Sequence, residues 1–592
     1  MKNLLIFILS VTSYLCSAQV ATDSIQPKWH NPELLGAKIH GQLLQNEVRS
    51  NYYYRLPNNV EKNIRPAVWN LSHNSAGESL KFYTNSSQII VRYVVSEEHA
   101  SDHMAATGKS GVDLYATENH GQRKWCAATR VFADTIVYKY TGLYYEGKMH
   151  DFGFEYQLYL PTYNTVEWLE IGVDEEAYFK FAEPTAELPI IAYGTSITQG
   201  ACASRPGMIW SSIVSREMDI PLMNLGFSGN GALEKGIIDI IKRTPARAVI
   251  LDCLPNLCKM RKDKLVELTV NSVKEIRKAQ PNVPIIITDH LGYPHGKMQE
   301  VWQSRVENGC EANLEAYRKL LAEGYLNLHH LTYREIAMPE DATVEAIHPS
   351  DWGMRVYADA YIAKLNKALN MPTGELATQI PVKQRREAQT YEWLEHHNNK
   401  MLEAQKVKPK TVVLGNSIMH RWGGSVNFKY TCDSVGWKKA TSGKKVVNMG
   451  ASWDRIENVL WRVTHGALDG YSAERVIVAI GVNNLIGVNK KNISTHEEIA
   501  EGIRTLIQAI KVRQPKAEIK VCGIFPARSL EADVIEVNKL IENVAKEEKV
   551  KYGDPGVNLL MSNGKANQSL YQNDGLHLNL NGYRKIVASF FE

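Results

Sequence analysis

A Gly-X-Ser turn, an Asn-X-Gly segment, a further asparagine and an acid-X-X-His segment follow one another twice in this 592-residue chain. The first copy contains Ser196, Asn224, Asn256, Glu345 and His348, and the second contains Ser417, Asn448, Asn483, Asp574 and His577. The histidine follows the serine by 152 positions in the first copy and by 160 in the second. Two copies in one order and at similar spacing indicate a duplicated domain.

These residue types, in this order, are suited to ester hydrolysis. A serine hydroxyl is a weak nucleophile until a neighbouring base such as histidine removes its proton. An acid three residues before the histidine can orient the imidazole and stabilise its charged form. Backbone N–H groups and an asparagine side chain can then hold the oxyanion of the intermediate. The predicted catalytic residues are Ser196, His348, Glu345, Ser417, His577 and Asp574, and the predicted oxyanion residues are Gly229, Asn256, Trp453 and Asn483.

Buried strands must position these residues. Ile190 to Tyr193 and Thr411 to Leu414 each run into a Gly-X-Ser turn, which places the serine at the carboxyl edge of a sheet. Further apolar strands alternate with amphipathic helical stretches such as Lys262 to Ala279. This alternation is typical of an α/β layer fold with a parallel sheet. We therefore predict two α/β three-layer units of the flavodoxin-like kind.

The region before Ser196 has a different sequence pattern. Short alternating segments, such as Ser87 to Val95, Thr135 to Tyr140 and Phe154 to Leu160, predict an antiparallel β-sandwich. Residues 371 to 382 are rich in Pro, Thr and Gly and read as a linker, after which a polar helix is predicted over Gln384 to Gln405. The predicted domains are 1–18 (signal peptide), 20–186 (β-sandwich), 187–372 (first hydrolase unit), 373–383 (linker) and 384–592 (second hydrolase unit).

Both sets of residues resemble the SGNH, or GDSL-type, hydrolase family, whose fold is a parallel sheet between helices. The family's activities include carbohydrate acetylesterases, lipases, thioesterases and acetylhydrolases. Gly194 to Gly200 and Ala203 to Gly207 resemble an acetylesterase subgroup that acts on plant polysaccharides and carries an N-terminal domain with a Gly-X-Asp-Leu-Tyr signature. That signature stands here at Gly111 to Tyr115. The second unit is more similar to the acetylhydrolase branch, through Asn448 to Gly450 and Glu457 to Arg462.

Three positions depart from the family pattern. Glu345 stands where the family has aspartate, and its extra methylene changes how it must reach His348. Asn256 is assigned by position, because its segment lacks the Gly-X-Asn-Asp pattern. Trp453 occupies the place of the oxyanion glycine. A tryptophan keeps the backbone N–H there, and its indole would narrow the pocket, which favours a small acyl group.

The amino terminus predicts export. Met1 to Asn3 precede an apolar stretch from Leu4 to Leu15, and Ala18 offers a cleavage site, as in a secretory signal peptide. We therefore predict a periplasmic or secreted protein without a membrane span. A formal charge of +4 without a basic run argues against nucleic acid as a partner. No phosphate loop, dinucleotide fingerprint or metal motif occurs, so no cofactor is predicted.

These features together predict an exported serine esterase that removes O-acetyl groups from a plant-type polysaccharide or oligosaccharide. A lipid or lysophospholipid acylhydrolase is the first alternative. A glycan-binding protein with one inactive hydrolase unit is the second, since duplicated domains often diverge. Trp210, Trp352, Trp422 and Trp461 either pack in the core, which is the default expectation, or stack on sugar rings. His396 and His397 are expected on a solvated helix face.

Overall fold

The structure, a computed structural model, describes residues 26–143, 151–423, 429–487 and 492–592. The predicted signal peptide lies outside these residues. Within them, no helix combines the length and apolar character that crossing a bilayer requires.

The N-terminal region forms two antiparallel sheets of five strands each, ordered β1-β9-β3-β7-β6 and β10-β2-β8-β4-β5. Side chains from both sheets share one hydrophobic cluster, to which Val91 and Leu158 belong. The predicted strands are confirmed to within a residue at most ends. The elements are β1 Lys28–His30, α1 Pro66–Leu71, β2 Ser79–Thr84, β3 Gln88–Val95, α2 Ala106–Lys109, β4 Asp113–Thr117, β5 Arg123–Cys126, β6 Thr129–Val131, β7 Ile136–Thr141, β8 Phe154–Tyr159, β9 Val166–Val173 and β10 Phe179–Phe181.

The first α/β unit contains a parallel five-stranded sheet in the order β12-β11-β13-β14-β15. The helix predicted over Lys262 to Ala279 is confirmed at both ends. The elements are β11 Ile190–Gly194, α3 Ser196–Gln199, α4 Trp210–Met218, β12 Leu222–Gly226, α5 Lys235–Arg243, β13 Ala248–Asp252, α6 Leu254–Leu257, α7 Lys262–Ala279, β14 Ile285–Thr288, α8 Glu300–Ala322, β15 Leu328–Leu331, α9 Tyr333–Ile336 and α10 Asp351–Ala368.

The second α/β unit repeats this topology, with a parallel sheet in the order β17-β16-β18-β19-β20. Its first helix begins at Trp393 rather than at Gln384. The elements are α11 Trp393–Val407, β16 Thr411–Gly415, α12 Ser417–Arg421, α13 Ser434–Thr441, β17 Val446–Asn448, α14 Ile456–Arg462, β18 Arg475–Ala479, α15 Val482–Ile486, α16 His496–Arg513, β19 Glu518–Cys522, α17 Glu531–Glu547, β20 Lys551–Gly553 and α18 Leu580–Phe591.

Alternate side chains of β11 enter two different cores. Ile190 and Ala192 belong to the cluster that includes residues of α4 and α10, whereas Ile191 and Tyr193 belong to the cluster that includes residues of α5, α7 and α8. Successive strand residues point to opposite faces of a sheet, so the two clusters lie on its two faces. Leu56, from the N-terminal region, joins the second of these clusters. The N-terminal region therefore contributes to the core of the first unit.

Buried hydrogen bonds and ion pairs connect different parts of the chain. Arg247 of the first unit pairs with Glu187 and donates a hydrogen bond to the carbonyl of Thr464 in the second unit. Lys383 pairs with Glu155 of the N-terminal region at 2.7 Å, and both side chains are buried. Removing one partner of a buried pair costs about 3–5 kcal/mol, because the other charge is left without compensation. The chain is a multidomain protein whose parts pack against one another, and the exact domain boundaries stay predictions.

Candidate functional site

The first predicted triad is assembled at the carboxyl end of β11. His348 Nε2 lies 2.8 Å from Ser196 Oγ, within hydrogen-bond distance. His348 Nδ1 lies 2.5 Å from Glu345 Oε1, and the same carboxylate oxygen accepts the backbone N–H of His348 at 2.8 Å. The glutamate therefore reaches the imidazole despite its longer side chain. These contacts favour a neutral imidazole with its proton on Nδ1 and its basic nitrogen facing the serine.

The second triad has the same arrangement. His577 Nε2 lies 2.8 Å from Ser417 Oγ, and His577 Nδ1 lies 2.7 Å from Asp574 Oδ2. Asp574 Oδ1 also accepts the backbone N–H groups of Leu576 and His577, each at 2.9 Å. The carboxylate is thus fixed by the backbone of its own turn as well as by the imidazole.

The two acid-X-X-His turns share a left-handed residue after the acid. Ala346 has φ of +68° in the first unit and Gly575 has φ of +67° in the second. A helix follows each turn, and its glycine packs against a backbone carbonyl. A Cβ at Gly353 would lie 2.2 Å from the carbonyl oxygen of Ala342, and one at Gly582 would lie 2.3 Å from that of Leu570. The glycine five residues after each histidine therefore lets the helix pack closely against this carbonyl, which fixes the position of the turn that carries the histidine.

Each serine begins a short helix directly after its strand, and both are buried, with 9% of Ser196 and 7% of Ser417 exposed. An asparagine at the end of the neighbouring strand ties this helix down. Asn224 Nδ2 donates to the carbonyl of Thr198 at 2.6 Å, and Asn448 Nδ2 donates to that of Met419 at 2.7 Å. The sequence motif contained both asparagines, but their positioning contact emerges only from the fold.

The predicted oxyanion residues occupy equivalent turns. Gly229 has φ of +66° and Trp453 has φ of +64°, so the tryptophan adopts the left-handed conformation of the glycine. Such a conformation costs a residue with a Cβ about 1–2 kcal/mol. Asn256 and Asn483 are anchored differently. Asn256 Oδ1 accepts the backbone N–H of Gly231 at 3.0 Å, whereas Asn483 Nδ2 donates to the carbonyl of Asp454 at 2.8 Å.

His348 and His577 both have a pKa below the usual histidine value of 6.5. Burial is the largest cause in each case. In the first unit Glu345 opposes the shift and His103 adds to it. In the second unit the positive charge of Arg421 lowers the pKa of His577 further, and Asp574 opposes the shift. A lowered pKa keeps the imidazole neutral, and therefore basic, in mildly acidic solution.

Replacing Arg421 by glutamine is expected to move the acidic limb of kcat/KM for the second unit to higher pH. Removing the cation raises the pKa of His577, so the base becomes protonated at a higher pH and activity is lost earlier on acidification. The profile is measured in a Ser196→Ala background, so that only the second unit turns over. Arg584→Gln, an exposed position on α18, is the matched control. A limb that stays in place or moves to lower pH contradicts the expectation.

The N-terminal region reaches the first site at several points that the sequence did not reveal. The buried Arg55 donates to the carbonyls of Asn224 and Gly226, at 3.0 and 2.9 Å, and so holds the turn that leads to Gly229. The Tyr163 hydroxyl donates to the carbonyl of Ser196 at 3.2 Å. The His103 ring stacks on the His348 ring, with centroids 5.9 Å apart.

The Gly-X-Asp-Leu-Tyr signature lies at the contact between the N-terminal region and the first unit. Asp113 is buried, pairs with Arg205 and accepts the backbone N–H of Gly207 at 3.0 Å. The Trp125 Nε1–H donates to the other oxygen of the same carboxylate at 2.7 Å. Ser204, beside Arg205, is bonded to Asp351 at the start of α10. The signature therefore anchors the loop that joins α3 to α4. This loop in turn contacts the start of α10, the helix that follows His348.

The segment before α11 surrounds the oxyanion turn of the second unit. Arg386 donates to the carbonyl of Trp453 at 2.9 Å, Gln384 donates to that of Ser452 at 3.0 Å, and Tyr391 donates to that of Ser452 at 2.7 Å. The helix predicted over Gln384 to Gln405 begins only at Trp393, so the prediction was wrong for residues 384–392. These residues form an ordered strap whose polar groups satisfy the carbonyls of the turn.

The expectation that His396 and His397 lie on a solvated helix face was also wrong. Both are buried, with 9% and 1% of the residue exposed. His396 Nε2 bonds the carbonyl of Gly450 at 2.9 Å, and His397 Nε2 bonds that of His465 at the same distance. Burial lowers the pKa of His397 to about 3, so it stays neutral at physiological pH. The two histidines connect α11 to the segments of the same unit that contain Gly450 and His465.

The tryptophans near the serines divide into two groups. Trp210, Trp422 and Trp461 are buried, which confirms the expectation of core packing. Trp352 differs, because 53% of it is exposed at the start of α10, four residues after His348. An exposed indole offers an apolar face to a ligand. Trp352 therefore does not pack in the core, unlike the other three tryptophans.

Three segments of the chain match models of known protein families. Residues 187–366 and residues 413–585 each match a model described as the GDSL-like lipase/acylhydrolase family. The chain belongs to this family. Residues 27–179 match a model described as the N-terminus of Esterase_SGNH_hydro-type, which carries the Gly-X-Asp-Leu-Tyr name. Membership of this family, in two tandem copies, supports an esterase or acylhydrolase.

Parts of the chain are also similar to individual proteins. The human platelet-activating factor acetylhydrolase IB subunit alpha2 is 28% identical over 206 residues, which cover 34% of this chain and 82% of the relative. The crystal structure of a protein from Bacteroides ovatus ATCC 8483, assigned as a GDSL-like lipase, is 27% identical with a TM-score of 0.52, covering 58% of this chain and 98% of that one. A family two carbohydrate esterase from Clostridium thermocellum in complex with cellohexaose is 16% identical with a TM-score of 0.32, covering 50% and 92%.

Proposed function

We propose that the protein is an exported serine carbohydrate esterase that removes O-acetyl groups from plant-type polysaccharides or oligosaccharides, with both α/β units active. The observation that carries this proposal is the presence of two complete triads. In each, the imidazole lies 2.8 Å from the serine oxygen on one side and within 2.7 Å of a carboxylate on the other. The departures at Glu345 and Trp453 remove neither the charge nor the backbone N–H that the chemistry needs.

The mechanism follows from these contacts. The oxygen of Ser196 or Ser417 attacks the carbonyl carbon of the ester while its proton passes to Nε2 of His348 or His577. Glu345 or Asp574 stabilises the resulting imidazolium. The imidazolium then gives the proton to the departing sugar oxygen, and an acetyl-serine remains. Water attacks this ester with the same histidine as base, which releases acetate and restores the serine.

The oxyanion of both tetrahedral intermediates needs donors. We assign this role to the backbone N–H groups of the serine and of Gly229 or Trp453, together with the amide of Asn256 or Asn483. The contact between Asn256 Oδ1 and Gly231 fixes the amide so that its NH₂ group faces away from that contact. Asn483 uses one N–H on the Asp454 carbonyl and retains the other for the oxyanion.

Two features favour an acetylated carbohydrate. Trp453 is 40% exposed where the family has glycine, so its indole would restrict the acyl pocket. The exposed face of Trp352 fits the apolar face of a sugar ring.

The apolar stretch from Leu4 to Leu15 supports export to the periplasm or the medium. The shared cluster of the two N-terminal sheets supports a β-sandwich, and the two cores flanking β11 support a three-layer first unit.

The second candidate function is a lipid or lysophospholipid acylhydrolase, which the similarity to platelet-activating factor acetylhydrolase subunits favours. The acyl chain length separates the two candidates. Acetyl, butyryl and octanoyl esters of one p-nitrophenol leaving group are compared by kcat/KM. The proposal expects a preference for acetyl, whereas a preference for octanoyl would favour the lipid candidate and contradict the proposal.

Replacing Trp453 by glycine is expected to raise kcat/KM of the second unit for butyryl esters by about tenfold or more, with a much smaller change for acetyl esters. The glycine keeps the backbone N–H and adopts the observed φ of +64° without strain, so only the indole is lost. Space for one or two methylenes is worth roughly 1–3 kcal/mol. The assay uses a Ser196→Ala background, and Trp352→Gly in the other unit is the control. An unchanged acetyl-to-butyryl ratio contradicts the role assigned to Trp453.

A further inference from the structure

A second cluster of chemically active side chains lies at the mouth of the first site. His103 of the N-terminal region, Cys202 and His348 each have one nitrogen or sulfur atom within 4.8 Å of those of the other two. It is the one group of three metal-ligating side chains at such distances in the described part of the chain. Cys202 Sγ also lies 3.4 Å from the carbonyl oxygen of His103. Three parts of the chain far apart in sequence therefore converge on one point.

The donor set has a definite preference. One thiolate and two imidazoles are ligands that Zn²⁺ favours, with Zn–S near 2.3 Å and Zn–N near 2.0–2.1 Å. Around one tetrahedral ion such donors lie roughly 3.3–3.8 Å apart, so the three atoms need to approach one another by at most about 1.5 Å. The His103 side chain is 40% exposed, which leaves it room to rotate toward the other two.

The surroundings favour a cation. The carboxylate of Asp102 lies 2.7 Å from His103 Nδ1, and the carboxylate of Glu345 lies 2.5 Å from His348 Nδ1. The same negative charges attract a positive ion.

Binding at this point would affect catalysis through His348. Both of its nitrogens are engaged, one with Ser196 at 2.8 Å and the other with Glu345 at 2.5 Å. An ion ligated by either nitrogen must break one of these contacts. If it takes Nε2, the serine loses its base, and if it takes Nδ1, the imidazole loses its orienting carboxylate.

We propose that His103, Cys202 and His348 bind a thiophilic divalent cation such as Zn²⁺, and that the bound ion reversibly switches off the first unit while the second remains active. The second half of this proposal rests on the proposed esterase function, whereas the binding itself does not. The N-terminal region thereby supplies an inhibitory ligand, and the two units respond differently to the metal content of their surroundings.

The binding test uses the full chain after treatment with a chelator, in a Ser196→Ala background that makes it independent of turnover. Titration with Co²⁺ is expected to give one equivalent bound and a thiolate-to-cobalt charge-transfer absorption, which added Zn²⁺ removes. Cys202→Ser should abolish the absorption and weaken Zn²⁺ binding at least tenfold, and His103→Asn should weaken it as well. Cys310→Ser, a partly buried thiol on α8, is the control. Equal Zn²⁺ affinity in Cys202→Ser and the unsubstituted chain would overturn the proposal.

The activity test compares the two units. Zn²⁺ is expected to inhibit the Ser417→Ala protein, in which the first unit works alone, at concentrations that leave the Ser196→Ala protein active, and EDTA should restore the rate. Each rate is normalised to the metal-free rate of the same variant. Equal inhibition of the two units, or inhibition that Cys202→Ser does not relieve, contradicts the switch. Metal binding without any esterase activity would instead leave the site intact and reject the proposed function.

Discussion

Replacing Ser196 and Ser417 together by alanine is expected to lower acetate release from acetylated xylan and pectin by about 10⁴-fold or more. Without the nucleophile no acyl-enzyme can form, and what remains is the contribution of substrate binding and oxyanion contacts. Each single variant should lose part of the activity, because each unit has its own complete triad. Acetate is measured directly, over time, with unsubstituted protein and all three variants. Ser442→Ala, at an exposed position of the second unit, is the control.

The pattern of loss distinguishes the alternatives. A loss divided between the single variants, by substrate or by acetylated position, would establish two working esterases with different targets. If one variant loses everything and the other nothing, one unit is inactive on these substrates. Substantial turnover by the double variant would reject both serines as nucleophiles. Glycan binding by the unsubstituted protein without acetate release would support a glycan-binding protein.

The second large effect is expected at the oxyanion asparagines. Asn483→Ala, in a Ser196→Ala background, should lower kcat by about 10²–10³-fold with little change in KM, since one oxyanion donor typically contributes this much and acts mainly in the transition state. Asn256→Ala should do the same for the first unit in a Ser417→Ala background. Both values come from steady-state kinetics with an acetyl ester.

A neighbouring asparagine provides the control for Asn483. Asn484 is fully buried, its amide N–H donates to Glu457 at 3.0 Å, and its oxygen accepts the backbone N–H of Ile456 at 3.1 Å, at the start of the helix after the oxyanion turn. Asn484→Ala should lower the Tm, because it leaves a buried carboxylate with one donor fewer, but should change kcat by less than tenfold. Equal losses of kcat in the two variants would mean that Asn483 acts on the fold rather than on the oxyanion.

Much of the fold could be predicted because its signals are local. The strands of the two parallel sheets are short apolar runs, and a period of two or 3.6 residues separates strand from helix without knowledge of the rest of the chain. The helix Lys262–Ala279 was predicted to the residue for this reason. The duplication was equally visible in the sequence. The two parallel sheets agree with it, because in each the second strand along the chain lies at one edge, next to the first, and the third, fourth and fifth strands follow in order.

The triad residues could be nominated from sequence for a related reason. An acid and a histidine three positions apart are held by one turn, whose backbone geometry is the same in both units at Ala346 and Gly575. The serine is fixed by its strand and its turn. Only the pairing of serine with histidine requires tertiary structure, and the order of the segments along a parallel sheet restricts that pairing strongly.

The surroundings of the sites were decided by tertiary structure alone. His103 and Tyr163 reach the first site from the N-terminal region, and Arg386 supports the oxyanion turn of the second from a segment predicted to be a polar helix. Their sequence neighbourhoods carry no period or motif that marks a partner far along the chain. His396 and His397 were placed in solvent because glutamates flank them, although they are buried against Gly450 and His465 of their own unit.

The sequence by itself therefore determined the elements, the duplication and the catalytic residue types, since each is written in residues a few positions apart. The tertiary structure decided which outside groups meet those residues: His103 and Cys202 beside His348, Arg55 beneath the turn to Gly229, and Trp453 in a glycine's conformation. The physical reason is the range of the forces involved. Backbone geometry and hydrophobic period act within one turn or strand. Packing and buried charge pairs instead join residues that are far apart along the chain, and no local pattern in the sequence marks those pairs.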